Sequence, residues 1–412
     1  MLLVFKGIDL AQDRWRQPGY RPVEEPRPAV EAVSTVTEIQ EGVRGAERVL
    51  VQGGGSKPAL SNDKRAGGAL TLNLSGLNGV VDYQPDEYTF TARAGTPVAD
   101  VEAMLAEQGQ YLPFDPPFAA RGATLGGTVA AGLSGSGRYR YGGVRDFLIG
   151  MRFVDGQGQE VRGGGAVVKN AAGFDFPKLF VGSLGRLGVL TELTFKVFPQ
   201  PPAFATVTAD FGPLADLLSA VHAVTGGQID LHAVDFGPSE DGWTLWVRIG
   251  GLTATLEQRV QTLRALVTSG ENAPRGIDAM LGRDEDDLWQ QARAMTWLPE
   301  GFGLVRVPLT PRRIAAVEEA LGAAEGAARR YSVAGNLLWL GWRDGDATAG
   351  PPNLNDLLAS LDLRGIRLIG QAPGDSPDDG NGPVLGKPLQ NPFLRRIAAS
   401  LDPAGKFGGY ER

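Results

Sequence analysis

Residues 122–146 read GATLGGTVAAGLSGSGRYRYGGVRD. Gly122, Gly126, Gly127, Gly132, Gly135, Gly137, Gly142 and Gly143 stand among small residues, and Arg138, Arg140 and Arg145 lie toward the far end. Glycine permits turns with φ > 0 and close backbone approach to a ligand. A run this poor in bulky side chains gives up packing energy, so something else is expected to fill the space. A large, flat, anionic cofactor meets that requirement.

Two further loops share the style. Residues 182–192, GSLGRLGVLTE, lead into an apolar strand candidate, and residues 52–57, QGGGSK, follow the apolar Val49–Val51. Consecutive peptide N–H groups in such a turn form an anion-binding nest suited to a phosphate or diphosphate. QGGGSK is not a Walker A loop, in which the lysine precedes the hydroxyl residue. None of the three loops reads G-x-G-x-x-G, so a Rossmann NAD site has no support. Any one of them alone reads equally well as an ordinary turn. Three within one half of the chain are harder to dismiss as ordinary turns.

Taken together, VQGGGSK at 51–57, AGT at 94–96, ATLGGTVAAG at 123–132, YGGVRD at 141–146 and VKNAAGFDFPKLFVGSLGRLGVLTE at 168–192 resemble a known family. They are similar to the FAD-binding domain of the vanillyl-alcohol oxidase / p-cresol methylhydroxylase (PCMH) superfamily. Within it they most resemble the FAD-binding E subunits of bacterial glycolate oxidase. The resemblance implies an α+β fold with a two-subdomain PCMH-type FAD-binding domain. An α+β cap, or substrate, domain follows, and the C-terminal tail returns to the first domain. It also implies FAD as cofactor. By carry-over, Gly53, Gly54, Gly55 and Ser56 hold the diphosphate, and Ala123, Thr124, Gly126, Gly127 and Thr128 line the flavin. Gly188 and Val189 flank the dinucleotide, and Tyr141, Gly142 and Arg145 make further contacts. For Arg145, a structural ion pair with Asp146 or another acid is the competing reading.

The domains expected are an extension over 1–22, the FAD-binding domain over 23–202 and the cap over 203–390. The polar, Gly/Pro-rich 372–386 reads as a flexible loop within the cap, and 391–412 as a helix and tail packed on the FAD domain. The tail reads DPAGKFGGYER where relatives read D-P-x-G-x-F-N-P-G. Gly408 and Gly409 replace the asparagine and proline, so that turn lacks its usual cofactor-contacting residues.

Composition narrows the function. With 412 residues, 42% hydrophobic and 21% charged, the chain has room for two domains and a large core. A net charge of −7 argues against nucleic-acid or anionic-membrane binding. The absence of cysteine excludes disulfides, cysteine-ligated iron–sulfur clusters, a thiol nucleophile and a cysteinyl–flavin bond. No signal-peptide pattern and no run of about 18 apolar residues is present, so a cytoplasmic protein is expected, peripheral to a membrane at most through partner subunits.

Along the chain, helices are expected at Val36–Ala46, after Thr96 (as N-cap) and Pro97, at Leu214–Val224, Thr253–Ser269, Pro311–Ala327 and Asn391–Leu401. Strands are expected at Arg48–Val51, Leu70–Leu74, Tyr88–Ala94, Phe147–Val154, Thr191–Val197, Thr206–Phe211, Leu245–Ile249, Gly303–Val307 and Asn336–Trp342. The second half reads as a sheet covered on one side.

The family reaction oxidises the C2 hydroxyl of a 2-hydroxy acid. A base takes the hydroxyl proton while hydride passes to the flavin, and cations hold the carboxylate. Catalytic relatives carry an H-A-G-D-G-N-x-H-like segment that is absent here. The chain has two histidines, His222 and His232, so neither a His/His metal site nor a histidyl–flavin bond is expected and FAD should be non-covalent. His232, in IDLHAVDFG, is the nearest base candidate, with a hydrogen-bonded structural histidine as the alternative. Arg306, in GLVRVPLT, is the candidate carboxylate clamp, with a solvated or paired arginine as the alternative. Asp284–Asp287 reads as an acidic helix N-terminus rather than a metal site; no metal is expected. Three functions remain open, a stand-alone oxidase that uses oxygen being the third. One is an FAD-dependent 2-hydroxy acid dehydrogenase subunit working with a second FAD-binding catalytic subunit and an iron–sulfur partner. The second is a non-catalytic flavin-binding, relay or scaffolding subunit.

Overall fold

The computed structural model describes residues 30–61, 68–165, 174–269, 273–322, 327–343, 353–370, 383–388 and 391–408. The expected extension over 1–22, the VKNAAG part of the family motif and most of the 372–386 loop lie outside the described residues.

The described residues begin with a small parallel sheet ordered Val30–Ala32, Leu70–Asn73, Val49–Gln52. Its covering helix, Val36–Gly45, starts with a capping box: Glu38 N–H donates to Thr35 Oγ1, and the Glu38 carboxylate accepts from Thr35 N–H. That arrangement satisfies amides which the helix leaves unpaired. Ile39 and Val43 on one face pack with Leu72, Val49 and Phe407.

A five-stranded antiparallel sheet follows, ordered Val80–Gln84, Thr89–Arg93, Val189–Lys196, Leu148–Val154, Glu160–Gly164. The last two form a hairpin, as the D-G at 155–156 between apolar runs implies, around Asp155, whose carboxylate accepts from the amides of Gln157 and Gln159. The helix after Pro97 runs Val98–Ala106 and buries Val98, Val101 and Leu105. Its cap differs from expectation. Pro97 takes the N-cap position, and the Thr96 hydroxyl instead donates to the Arg93 carbonyl at 2.7 Å.

The second half is built on one sheet. Among the described residues its strand order is Gly276–Leu281, Ala203–Phe211, Gly242–Gly251, Leu231–Ser239, Ala327–Ser332, Leu337–Trp342, Gly303–Pro308, Arg364–Ile369, Val384–Gly386. One face packs helices Leu214–Gly226, Thr253–Val267, Ile314–Leu321 and Leu354–Ser360 through a core that includes Val305, Val307, Leu338 and Leu340. The alternate residues Leu304, Leu337, Trp339 and Leu368 point the other way and join a core with Phe118, Phe147 and Phe195 of the first half. The sheet is therefore covered on both faces, because its central strands are apolar on both sides. A further correction concerns residues 311–327. The helix ends at Leu321, and Ala327 opens a strand.

The C-terminal segment returns to the beginning. Val49 N–H donates to the Lys406 carbonyl at 2.9 Å and Gly156 N–H to the Leu401 carbonyl at 2.8 Å. Phe407 is buried against the first helix and sheet. The described residues thus form a first half with a small parallel and a five-stranded antiparallel sheet, a second half on one larger sheet, and a tail that returns to the first half.

Candidate functional site

Three of the glycine-rich loops meet in one groove. Gly53, Gly54, Gly55, Ser56, Thr124, Gly126, Gly127 and Gly188 line it, together with Lys57, Ala94, Ser183, Leu184 and Gly185. Ala123, Thr128 and Val189 are buried without lining it. Tyr141, Gly142 and Arg145 do not line it either; Arg145 is exposed, and the Asp146 carboxylate accepts from Gly143 N–H rather than pairing with Arg145.

The glycines work first on the protein itself. A Cβ at Gly54 would stand 1.8 Å from the Gly122 carbonyl oxygen, and one at Gly53 would stand 2.4 Å from Thr124 Oγ1. The QGGGSK turn can therefore pack on the Gly122–Thr124 backbone only without side chains. At Gly55 the demand is conformational, since its φ is +69° with little to obstruct a side chain. The amides of Gly54, Gly55 and Ser56 donate to no backbone carbonyl among the described residues. Turn amides left free in this way form a concave donor set for an anion.

Lys57 is the single ionisable side chain lining the groove among the described residues. It is 7% exposed, its Nζ donates to Ser56 Oγ at 2.8 Å, and the Phe118 ring lies 5.9 Å away. Burial pulls its pKa down to about 8. The residues present thus fit an anionic dinucleotide, with free amides and a buried cation at one place and a mainly small or apolar wall beyond. No histidine lines the groove.

The two residues with proposed substrate roles lie elsewhere. His232 lines a second cavity, between the two halves, with Tyr111, Tyr141, Phe204 and Arg248. Its Nε2 lies 3.2 Å from the Tyr141 hydroxyl, and Nδ1 has no partner among the described residues. Burial, reinforced by the nearby Arg140, Arg248 and Arg259, depresses its pKa to about 3, so the ring is neutral at physiological pH. Arg306 lines neither cavity. It shares the inward sheet face with Leu304, its Nε has no partner among the described residues, and its pKa is pushed down to about 10 by burial and by the nearby Arg138. Arg306 therefore does not join His232 in the lining of the second cavity.

The acidic run at 284–287 opens the helix Arg283–Ala294, as its sequence implied, but Glu285 is turned inward. Its carboxylate accepts from Arg248 Nε at 2.8 Å, from Arg248 Nη2 at 2.9 Å and from Thr206 Oγ1 at 2.8 Å. Among the described residues no group of three or more metal-ligating His, Asp or Glu side chains occurs, and no helix is long and apolar enough to cross a membrane.

Comparison with known proteins places this geometry. An FAD binding domain family matches residues 28–164. The chain is 34% identical over 258 residues to glycolate oxidase subunit GlcE of Escherichia coli, covering 62% of this chain and 66% of the relative. It is 35% identical over 212 residues to a D-2-hydroxyglutarate dehydrogenase of Xanthomonas citri, covering 50% of this chain and 44% of the relative. The chain thus spans less than two thirds of the length of these relatives. Among solved structures, a chitooligosaccharide oxidase superposes with a TM-score of 0.64 at 16% identity, covering 93% of this chain and 91% of that one. An alkyldihydroxyacetonephosphate synthase gives 0.65 at 15% identity, covering 93% and 75%. These two show the shared fold. Residues 28–164 thus form an FAD binding domain, and FAD is the cofactor.

Proposed function

We propose that this chain is the FAD-binding subunit of a glycolate oxidase-like complex that oxidises a 2-hydroxy acid. In this reading it holds FAD non-covalently in the glycine-lined groove and passes electrons to an iron–sulfur partner beside a second FAD-binding subunit. The observation that carries the reading is the groove itself, lined by Gly54, Gly55 and Ser56, whose amides donate to no backbone carbonyl among the described residues, and by the buried ammonium of Lys57. Bound FAD supplies hydride acceptance and one-electron transfer. The protein supplies an anion cradle and a small-residue wall of Gly126, Gly127 and Ala130. The absence of cysteine from the sequence and of histidine from the groove leaves neither of the usual flavin-linking side chains there. The similarity to a named glycolate oxidase subunit supports membership of a multi-subunit complex, and a cytoplasmic location is part of the same proposal.

For the substrate, Arg306 and Arg138 are two nearby cations on the side of the cap sheet that faces the FAD-binding half, and Arg306 Nε has no partner among the described residues. A small carboxylate is the complementary ligand. One observation favours the second reading, a relay or scaffold that turns over nothing alone. The imidazole of His232, with its pKa near 3, has little capacity to accept a substrate proton at neutral pH.

Anaerobic addition of glycolate to the purified FAD-loaded chain tests the choice. Bleaching of the flavin bands by glycolate alone means that this chain carries substrate chemistry. Bleaching only after the partner subunits are added supports the relay reading.

A further inference from the structure

A buried ammonium without a counter-charge is costly, and proteins keep one where something supplies the opposite charge. Lys57 is such a group. No carboxylate among the described residues pairs with it, and its hydrogen bond goes to the neutral hydroxyl of the adjacent Ser56. Its position is fixed from three sides. The chain enters through the Gly53–Ser56 turn, Phe118 lies across from Nζ, and a Cβ built on Gly127 would stand 3.6 Å from Nζ. Lys57 therefore lines the same groove as Gly54, Gly55 and Ser56, whose amides donate to no backbone carbonyl among the described residues.

We propose that Lys57 is the counter-charge to the diphosphate of the bound dinucleotide, and that the apoprotein holds this cation ready at the groove. The inference rests on the FAD reading and goes beyond it. The backbone nest alone would bind the diphosphate with no dependence on the protonation of any side chain. A lysine partner ties affinity to its own proton.

The sign follows from linkage. Lys57 titrates at about 8 in the empty groove, and an adjacent dianion raises that value. The affinity is then full below pH 8 and falls as pH rises above it, approaching tenfold per pH unit until the bound-state value is reached. Replacing Lys57 with Met removes a charge-assisted hydrogen bond, expected to weaken binding roughly tenfold to a hundredfold.

The test is a fluorescence-quenching titration of the full-length apoprotein with FAD from pH 7 to 9.5, for the wild type, Lys57→Met and Lys57→Arg. The expected result is a decline above pH 8 in the wild type. Lys57→Met should be weaker at pH 7 and flat with pH, and Lys57→Arg should retain affinity and be flat. ADP should lose affinity in Lys57→Met as FAD does, while riboflavin, which lacks the diphosphate, should not. Thermal midpoints of the apoproteins check folding, and Lys57→Met is expected at or above the wild type because an uncompensated charge has gone. The wild-type pH series and Lys57→Arg decide the matter even if Lys57→Met folds poorly. Equal FAD affinity in wild type and Lys57→Met, or a flat wild-type profile, overturns the proposal and leaves FAD binding intact. A wild type that takes up no FAD at any pH overturns the FAD reading itself.

Discussion

Ser136, in the glycine-rich segment of the FAD-binding half, donates to Asp235, on the cap sheet, at 2.6 Å. The same Asp235 Oδ2 accepts from Ser332 Oγ at 2.9 Å and from Arg330 Nε at 3.0 Å, and Asp235 is fully buried. One carboxylate oxygen thus joins the segment beside the groove to two strands of the cap. Arg330 is held on its other side by Trp246, whose ring centroid lies 4.4 Å from the guanidinium carbon.

Asp235→Asn should therefore destabilise the protein strongly. It removes the negative charge and leaves Arg330 buried without compensation, a change that costs about 3–5 kcal/mol. Ser136→Ala removes one hydrogen bond to a charged group and should cost about 1.5–3 kcal/mol. Urea denaturation of both variants measures the difference, and equal midpoints for Asp235→Asn and wild type would refute the linking role.

His232 makes a prediction about acid stability. Its folded pKa of about 3 lies below the ordinary value of about 6.5. The unfolded chain therefore takes up a proton at this site as pH falls below about 6.5 while the folded chain does not. Stability should drop across that window, by at most about 1.4 kcal/mol per pH unit from this group, until the folded value is reached. His232→Gln should flatten that part of the slope, measured as denaturation midpoints from pH 7 to 4.5. An unchanged slope would place the titrating group elsewhere.

Arg306→Met separates cofactor from substrate roles. Arg306 lies outside the groove lining, so FAD affinity should stay within about twofold of wild type. Removing one buried cation from beside Arg138 should leave stability unchanged or raised. In the assembled complex, KM for the 2-hydroxy acid should rise about tenfold or more if Arg306 holds the carboxylate, since such a charged contact contributes about 1.5–3 kcal/mol. Wild-type kinetics in this variant would assign Arg306 a purely structural place.

The QGGGSK turn supplies a contrast between two glycines. Gly54→Val drives a side chain into the Gly122 carbonyl, so it should separate the turn from its neighbour and abolish FAD uptake. Gly55→Ala meets only the end of the Gln52 side chain, at an ordinary contact distance of 3.4 Å, and faces chiefly the strain of its φ of +69°, which costs about 1 kcal/mol. It should bind FAD with a modest loss. Flavin content after reconstitution, read beside circular dichroism, checks the pair.

Much of this was written locally in the chain. The glycine clusters at 53–55, 122–127 and 182–188 announced the groove, because turn chemistry acts between near neighbours. What the clusters did not reveal is that Gly53 and Gly54 are small to admit Gly122 and Thr124, a contact between loops about 70 residues apart. Lys57 reads in sequence as a polar loop residue, and only folding against Phe118 and Gly127 buries it. The strand Ala327–Ser332 was hidden because its consecutive Arg329 and Arg330 break the apolar alternation that marks a strand. Their charges are met by Glu318 and Asp235, partners that only the fold supplies. Glu285 belongs to the same class, an acid in a run of acids that turns inward to Arg248.

The most direct test of the account is the visible spectrum of the purified chain, followed by acid precipitation and a second spectrum of the supernatant. The account predicts flavin bands corresponding to one FAD per chain, with all the colour released into the supernatant as intact FAD. A colourless chain that takes up no FAD on reconstitution, or colour that stays with the precipitate, would contradict it.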